Sequence, residues 1–141
     1  MPAHWSNEEI ELLAERAYQL YLQGKNEDAR IIFEGLIAID PRNVYCLEAL
    51  ASLHLLLGSV QLAVDYADRA LAFSPRRVNA LACRCEGNLR LGRLQPAQQD
   101  LEVLAQLRAE AQVARLAIQL ANAKKFAVNL LPGATSPGAA R

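Results

Sequence analysis

Two histidines in 141 residues leave little material for a metal or acid–base site. His4 stands in the N-terminal arm, His54 lies within an apolar run, and neither belongs to an HExxH or Cys/His ligand spacing. The three cysteines are odd in number, and on a helix Cys83 and Cys85 would point to different faces, which argues against a disulfide framework. Cys83-Arg-Cys85 also has the wrong spacing for a zinc knuckle, and Gly24-Lys25 lacks the upstream glycine and following Ser/Thr of a phosphate loop. No catalytic constellation, cofactor site or metal site is therefore expected. Charge of either sign in excess is missing too: 15 Lys+Arg balance 15 Asp+Glu, so no global field would draw in nucleic acid or an anionic membrane. No apolar run approaches the ~20 residues needed to span a bilayer. The opening Met1-Pro-Ala-His-Trp-Ser lacks the basic and apolar regions of a signal peptide. The expectation is a soluble, cytosolic, non-enzymatic chain that recognises partners locally.

What is present is apolar and helix-prone. Hydrophobic residues make up 52% of the chain, among them 25 Ala and 24 Leu, and charged residues only 21%. These residues lose least on entering a helix, and the length suits one domain. At a shift of 34 the sequence aligns with itself: Gly24, Gly58 and Gly92; Ala29, Ala63 and Ala97; Pro41 and Pro75, with Ala109 in third place. Upstream of each Gly stand Leu13, Leu47 and Leu81, then Ala17, Ala51 and Cys85; downstream, Leu36, Ala70 and Leu104, then Ile39, Phe73 and Leu107. Each unit reads as a helix, a turn at Gly, a second helix and a stop near Pro. Gly supplies a turn with φ > 0, Ala lets two helices cross closely, and Pro tolerates the gap between units. Ser6 and Glu9 form an S-x-x-E capping box at the first helix, with Trp5 placed to staple onto Ile10.

A 34-residue helix-turn-helix unit with these marks resembles the tetratricopeptide repeat over residues 10 to about 109. The resemblance implies an all-α, right-handed superhelix of three repeats, at about 10–43, 44–77 and 78–109. A C-terminal capping helix over 110–129 would cover the open apolar face with Val113, Leu116, Leu120 and Ala123, leaving Arg115, Lys124 and Lys125 elsewhere. Residues 1–129 are then one domain and 130–141 a disordered tail. Arg16 and Arg84 depart from the pattern where apolar residues are expected, and the third unit lacks its Pro. His54, whose repeat equivalents are Leu20 and Asn88, reads as partly buried against the neighbouring helix. Cys85 stands where the other units carry Ala and reads as packing.

In stacked repeats the first helices line the concave face, and residues three and four apart form its stripe. The first unit offers Glu11, Ala14, Tyr18 and Tyr21, with Leu22 adjoining; the second, Tyr45, Glu48, Ser52 and Leu55, with Leu56 adjoining. The third offers Asn79, Ala82, Glu86 and Leu89, with Arg90 at the edge. A clamp for an acidic carboxylate would need Lys, Arg and Asn here, and Glu11, Glu48 and Glu86 would repel an acid. Tyrosines suit a wall for an apolar segment, each presenting ~150 to 250 Å² of rigid surface. Tyr18 and Tyr21 could instead pack within the stack; three tyrosines on one inferred face favour the groove without settling it.

The first unit also carries a closer likeness. Ala17-Tyr-Gln-Leu-Tyr-Leu-Gln-Gly-Lys-Asn-Glu-Asp-Ala29, continuing through Ile32-Phe33 and Leu36 to Asp40, resembles the opening repeat of the class II type III secretion chaperones. That resemblance implies a bacterial cytoplasmic chaperone holding a short apolar segment of a secreted translocator in its concave groove. Carried over, Tyr18, Tyr21, Tyr45, Leu55 and Leu56 would form the apolar pockets; Leu22, Glu48, Ser52, Asn79, Glu86 and Leu89, from the stripe periodicity, complete the expected groove. Members of that family usually have a longer segment before the first repeat, often used to dimerise, so a homodimer here is either absent or built on the first repeat. The alternative from another class is a scaffold or assembly factor holding a globular partner on its convex or lateral surface.

Overall fold

The computed structural model describes residues 4–130, and within them seven helices follow one another without a strand. α1 (Asn7–Leu22) pairs with α2 (Asn26–Ile39), α3 (Val44–Leu57) with α4 (Val60–Phe73), and α5 (Val78–Arg90) with α6 (Leu94–Gln106); α7 (Glu110–Leu130) follows. The tail expected to be disordered falls outside the described residues from position 131, Leu130 being the last residue of α7.

Local chemistry sets the helix ends. Ser6 Oγ accepts the Glu9 N–H at 3.1 Å and Glu9 Oε2 accepts the Ser6 N–H at 2.8 Å, a complete capping box. Asn43 caps α3 by accepting the Cys46 N–H at 3.1 Å. α2, α4, α5 and α6 have no side-chain cap and so depend on packing. Past the first helix of each unit, Gly24, Gly58 and Gly92 take φ of +78°, +84° and +76°. The next N–H groups, on Lys25, Ser59 and Arg93, then reach back to the carbonyls of Leu20, His54 and Asn88. α6 ends in the same way, without glycine: the Ala109 N–H donates to the Leu104 carbonyl at 3.0 Å while Arg108 sits at φ 58°. This closure stands where the first two units have their Pro.

Every helix packs on the next, and in addition α1 touches α3, α3 touches α5, and α5 touches α7. Among the described residues the backbones of α2, α4 and α6 do not approach one another closely. The stack is therefore curved, with odd helices gathered on the inside and even helices splayed on the outside. α3 is buried on nearly all sides, from Cys46 to Leu55, as a central helix must be. Ala29, Ala63 and Ala97 are fully buried at the crossings. At Gly87 α5 approaches α4 so closely that an added Cβ would lie 2.6 Å from Val64 Cγ2.

The third unit is fastened by charge. Arg84, a departure from the repeat pattern, donates through Nε and Nη2 to Asp100 of α6 at 2.9 and 2.7 Å, and through Nη1 to Asp68 of α4 at 2.9 Å. Asp100 is buried, and the two carboxylates raise the already high pKa of the guanidinium. Arg16, the other departure, is exposed. α7 covers the end of the stack with Leu116 and Leu120 buried and Val113 and Ala123 packed beside them, while Arg115, Lys124 and Lys125 stay exposed.

Candidate functional site

The curvature leaves a concavity of about 290 Å³ on the inner face of the first two units. α1 supplies Tyr18 and Tyr21; α3 supplies Tyr45, Glu48, Ala49, Ser52 and Leu53; Phe33 of α2 and Asn79 of α5 complete the lining. Tyr18 and Tyr45 are 43% and 41% exposed, which places their rings at the surface, and Tyr21 is half-buried. Tyr18 and Tyr21 lie with ring centroids 6.0 Å apart, and Tyr45 meets Phe33 edge-on at 6.2 Å. Phe33 is only 1% exposed, so it is a fixed floor beneath a more accessible wall. Partial burial pushes the Tyr45 phenol above its ordinary pKa and keeps it a neutral donor.

The polar end of the concavity is already committed. Glu48 is buried, and its carboxylate accepts from Arg77 Nε and Nη2 at 3.1 and 2.9 Å and from the Ala80 N–H at 3.1 Å. This carboxylate ties α3 to the start of α5. The repulsion expected from Glu48 is thus largely cancelled by Arg77, whose pKa the pair raises in turn. Ser52 Oγ lies 3.4 Å from Cys83 Sγ, and burial pushes that thiol up. The other polar side chains of the lining, the three tyrosines and Asn79, are neutral.

Six of the eleven residues singled out in the sequence meet at this concavity: Tyr18, Tyr21, Tyr45, Glu48, Ser52 and Asn79. The other five do not line it. Leu55 and Leu89 are buried, Leu55 in a cluster with Ala63 and Ala67 of α4 and Cys83 of α5, Leu89 in the main core. Leu22 and Leu56 are exposed near the C-terminal ends of α1 and α3, beyond the lining. Glu86 is taken up by ion pairs with Arg90 on its own helix and Arg115 of α7, and Arg90 Nη1 also donates to the Leu55 carbonyl at 3.0 Å. Phe33, Ala49 and Leu53 were not foreseen. The signal for Phe33 was an aromatic where the other units carry Ala67 and Leu101, on a second helix assigned to the outer face.

His54 is buried and stacked on Tyr66 of α4, with ring centroids 5.4 Å apart and planes 7° apart; neither ring nitrogen has a hydrogen-bond partner. Desolvation lowers its pKa from the ordinary 6.5. Cys46 and Cys85 are buried thiols whose pKa values burial pushes up to about 12, opposite to what a nucleophile needs. Among the described residues no group of three His, Cys, Asp or Glu could hold a metal ion, and no helix is long and apolar enough to cross a membrane.

No family model and no curated protein matches the chain. Solved structures do. The type III secretion translocator chaperone SycD of Yersinia enterocolitica is 22% identical, with a TM-score of 0.75 over 86% of this chain and 96% of that one. PcrH, known from Pseudomonas aeruginosa and crystallised in complex with the chaperone binding region of PopD, is 23% identical, with a TM-score of 0.78 over 89% of this chain and 98% of that one. A tetratricopeptide repeat protein from Parabacteroides merdae is 22% identical, with a TM-score of 0.76 over 86% of this chain and 48% of that one. The shared architecture is the all-α superhelix of tetratricopeptide-like repeats.

Proposed function

We propose that this chain is a non-enzymatic bacterial chaperone that holds a short apolar segment of a secreted client, a type III secretion translocator, in the tyrosine-walled concavity between α1 and α3. The observation that carries this reading is the accessible wall of Tyr18, Tyr21 and Tyr45 over the fixed Phe33 floor. A client side chain entering there would bury apolar surface against rings that are already positioned, so little rotamer freedom is lost. The fold likeness supports the same reading, since PcrH was crystallised with the chaperone binding regions of PopD and PopB, and SycD with a peptide of the translocator YopD. The mechanism is masking: client anchors that would otherwise aggregate or associate early are held out of water until export. A cytoplasmic location follows from that role. High thiol pKa values and paired carboxylates agree with a non-enzymatic surface.

The test is co-expression of the full chain with the secretion proteins of its own host, followed by pull-down and mass spectrometry, with Tyr18→Ala/Tyr45→Ala beside the wild type. A secreted apolar protein should be retained by the wild type and lost by the variant, whose circular dichroism and melting temperature should barely change because both rings are exposed. Retention by the variant would move binding off the concavity, towards the scaffold alternative.

A further inference from the structure

The outer face carries a second surface of different chemistry. α2 and α4 both pack on α3 with no close backbone approach to each other, so on the outer face their backbones stand apart with a furrow bridged only by side chains. The buried His54 of α3 stacks there on the half-buried Tyr66 of α4. The far flank of α4 faces the third unit, because Asp68 pairs with Arg84. The near flank faces α2, because Arg42, in the turn after α2, crosses to lie 4.8 Å over the Phe73 ring.

That near flank is a continuous stripe. Leu62, Tyr66, Arg69 and Phe73 follow at steps of four, three and four, one face of a helix over about 16 Å. Leu62 and Phe73 are exposed apolar residues. Arg69 within the stripe, Arg42 across from it and Arg76, three residues beyond Phe73 along the chain, gather towards its C-terminal half. Arg42 and Arg69 lie over the Phe73 and Tyr66 rings, and Arg76 follows Pro75 as Arg42 follows Pro41, one repeat apart. Among the described residues none of the three is ion-paired, whereas Arg30, Arg77, Arg84, Arg90 and Arg115 all are. A guanidinium drawn over a ring by a cation–π contact makes no hydrogen bond to that ring's carbons, so its N–H donors stay free for a carboxylate. Earlier along the furrow Arg30 is clamped between Glu27 and Glu34, so positive potential is confined to the end nearest the Pro turns.

We propose that this furrow docks an amphipathic helix of a second protein partner, its apolar side on Leu62, Tyr66 and Phe73 and its acidic end over Arg42, Arg69 and Arg76. The length of the stripe matches about three turns of helix. The confinement of charge to one end sets the direction in which the helix lies. The site is on the outer face, so it neither needs nor blocks the inner concavity.

The probe is a fluorescent designed peptide of about five turns, with leucines at i, i+3 and i+4 spacing and glutamates clustered at one end. A second peptide carries lysines in place of those glutamates. Fluorescence anisotropy with the full chain should show binding of the glutamate peptide, weakened at least about tenfold by Arg42→Glu/Arg69→Glu/Arg76→Glu. That variant should instead prefer the lysine peptide, while Tyr18→Ala/Tyr45→Ala and the control Arg16→Glu/Arg93→Glu/Lys125→Glu should bind the glutamate peptide as the wild type does. Circular dichroism checks that the charge-reversed chain folds, and Phe73→Ala, which leaves every charge in place, should also weaken binding. Absence of wild-type binding, equal loss in the control, or no charge preference would overturn the proposal. So would arginine-dependent binding to vesicles of anionic phospholipid without any preference between the peptides, which would put a membrane surface there.

Discussion

The two ends of this repeat stack share a scaffold and differ in how their inner faces are used. Between α1 and α3 the stripe carries Tyr18, Tyr21 and Tyr45, too large to interdigitate and left standing around a concavity. Between α3, α5 and α7 the equivalent stripe carries Ala82, Glu86 and Leu89, and it is closed by burial and by the pairing of Glu86 with Arg90 and Arg115. Behind it, Arg84, Asp68 and Asp100 lock three helices together, and Gly87 lets α4 and α5 meet without a side chain between them. One backbone repeat thus makes an open aromatic surface at one end and a tight, charge-fastened joint at the other, through side-chain volume at a few stripe positions.

The sharpest way to break that contrast is to loosen the fastened end. Arg84→Ala leaves Asp100 buried without its partner and should cost about 3 kcal/mol in urea denaturation, as removal of one member of a buried pair does. Binding at the tyrosine wall should survive wherever the chain remains folded. Gly87→Ala drives a methyl into Val64 and should cost about 1 to 3 kcal/mol by the same measurement, whereas Gly35→Ala, with nothing within 4 Å, should not destabilise.

Acid should act on the other half. His54 is neutral in the fold with its pKa lowered by burial, while Glu34, Glu27 and Arg30 of α2 and Tyr66 of α4 are the groups that face it. The unfolded chain therefore binds a proton near pH 6.5 that the folded chain resists, and stability should fall as pH drops below about 6.5 and level off below the folded pKa. Melting curves from pH 7.5 to 5 should show this, and His54→Leu, the residue of the first unit at this position, should flatten that part of the profile. The smallest effect is a gain: Arg108 holds a left-handed φ of 58° that glycine adopts freely, so Arg108→Gly should raise stability by about 1 kcal/mol or less.

Much of this molecule was legible in the order of its residues. The spacing of Gly24, Gly58 and Gly92 marked three turns that all take positive φ, and Ser6 with Glu9 marked a capping box that forms. Val113, Leu116, Leu120 and Ala123 marked the packed face of the terminal helix. These succeed because caps, turns and amphipathic faces are local, decided within one or two turns of chain. The concavity was half legible. Its α1 and α3 tyrosines lie on a stripe that periodicity identifies, but the same periodicity drew in Leu55 and Leu89, which neighbouring helices cover, and passed over Phe33, which reaches the site from an outer helix.

The sequence by itself therefore determined the repeat, its turns and the faces of its helices, since each depends on dihedral preference and on apolar spacing along one segment. Only the tertiary structure decided which stripe residues stay open. That outcome depends on the distance between helices a whole repeat apart, set by the volumes of Ala, Gly and Tyr at their crossings. It also depends on which charges find partners across that distance, as Glu48 finds Arg77 and Asp100 finds Arg84.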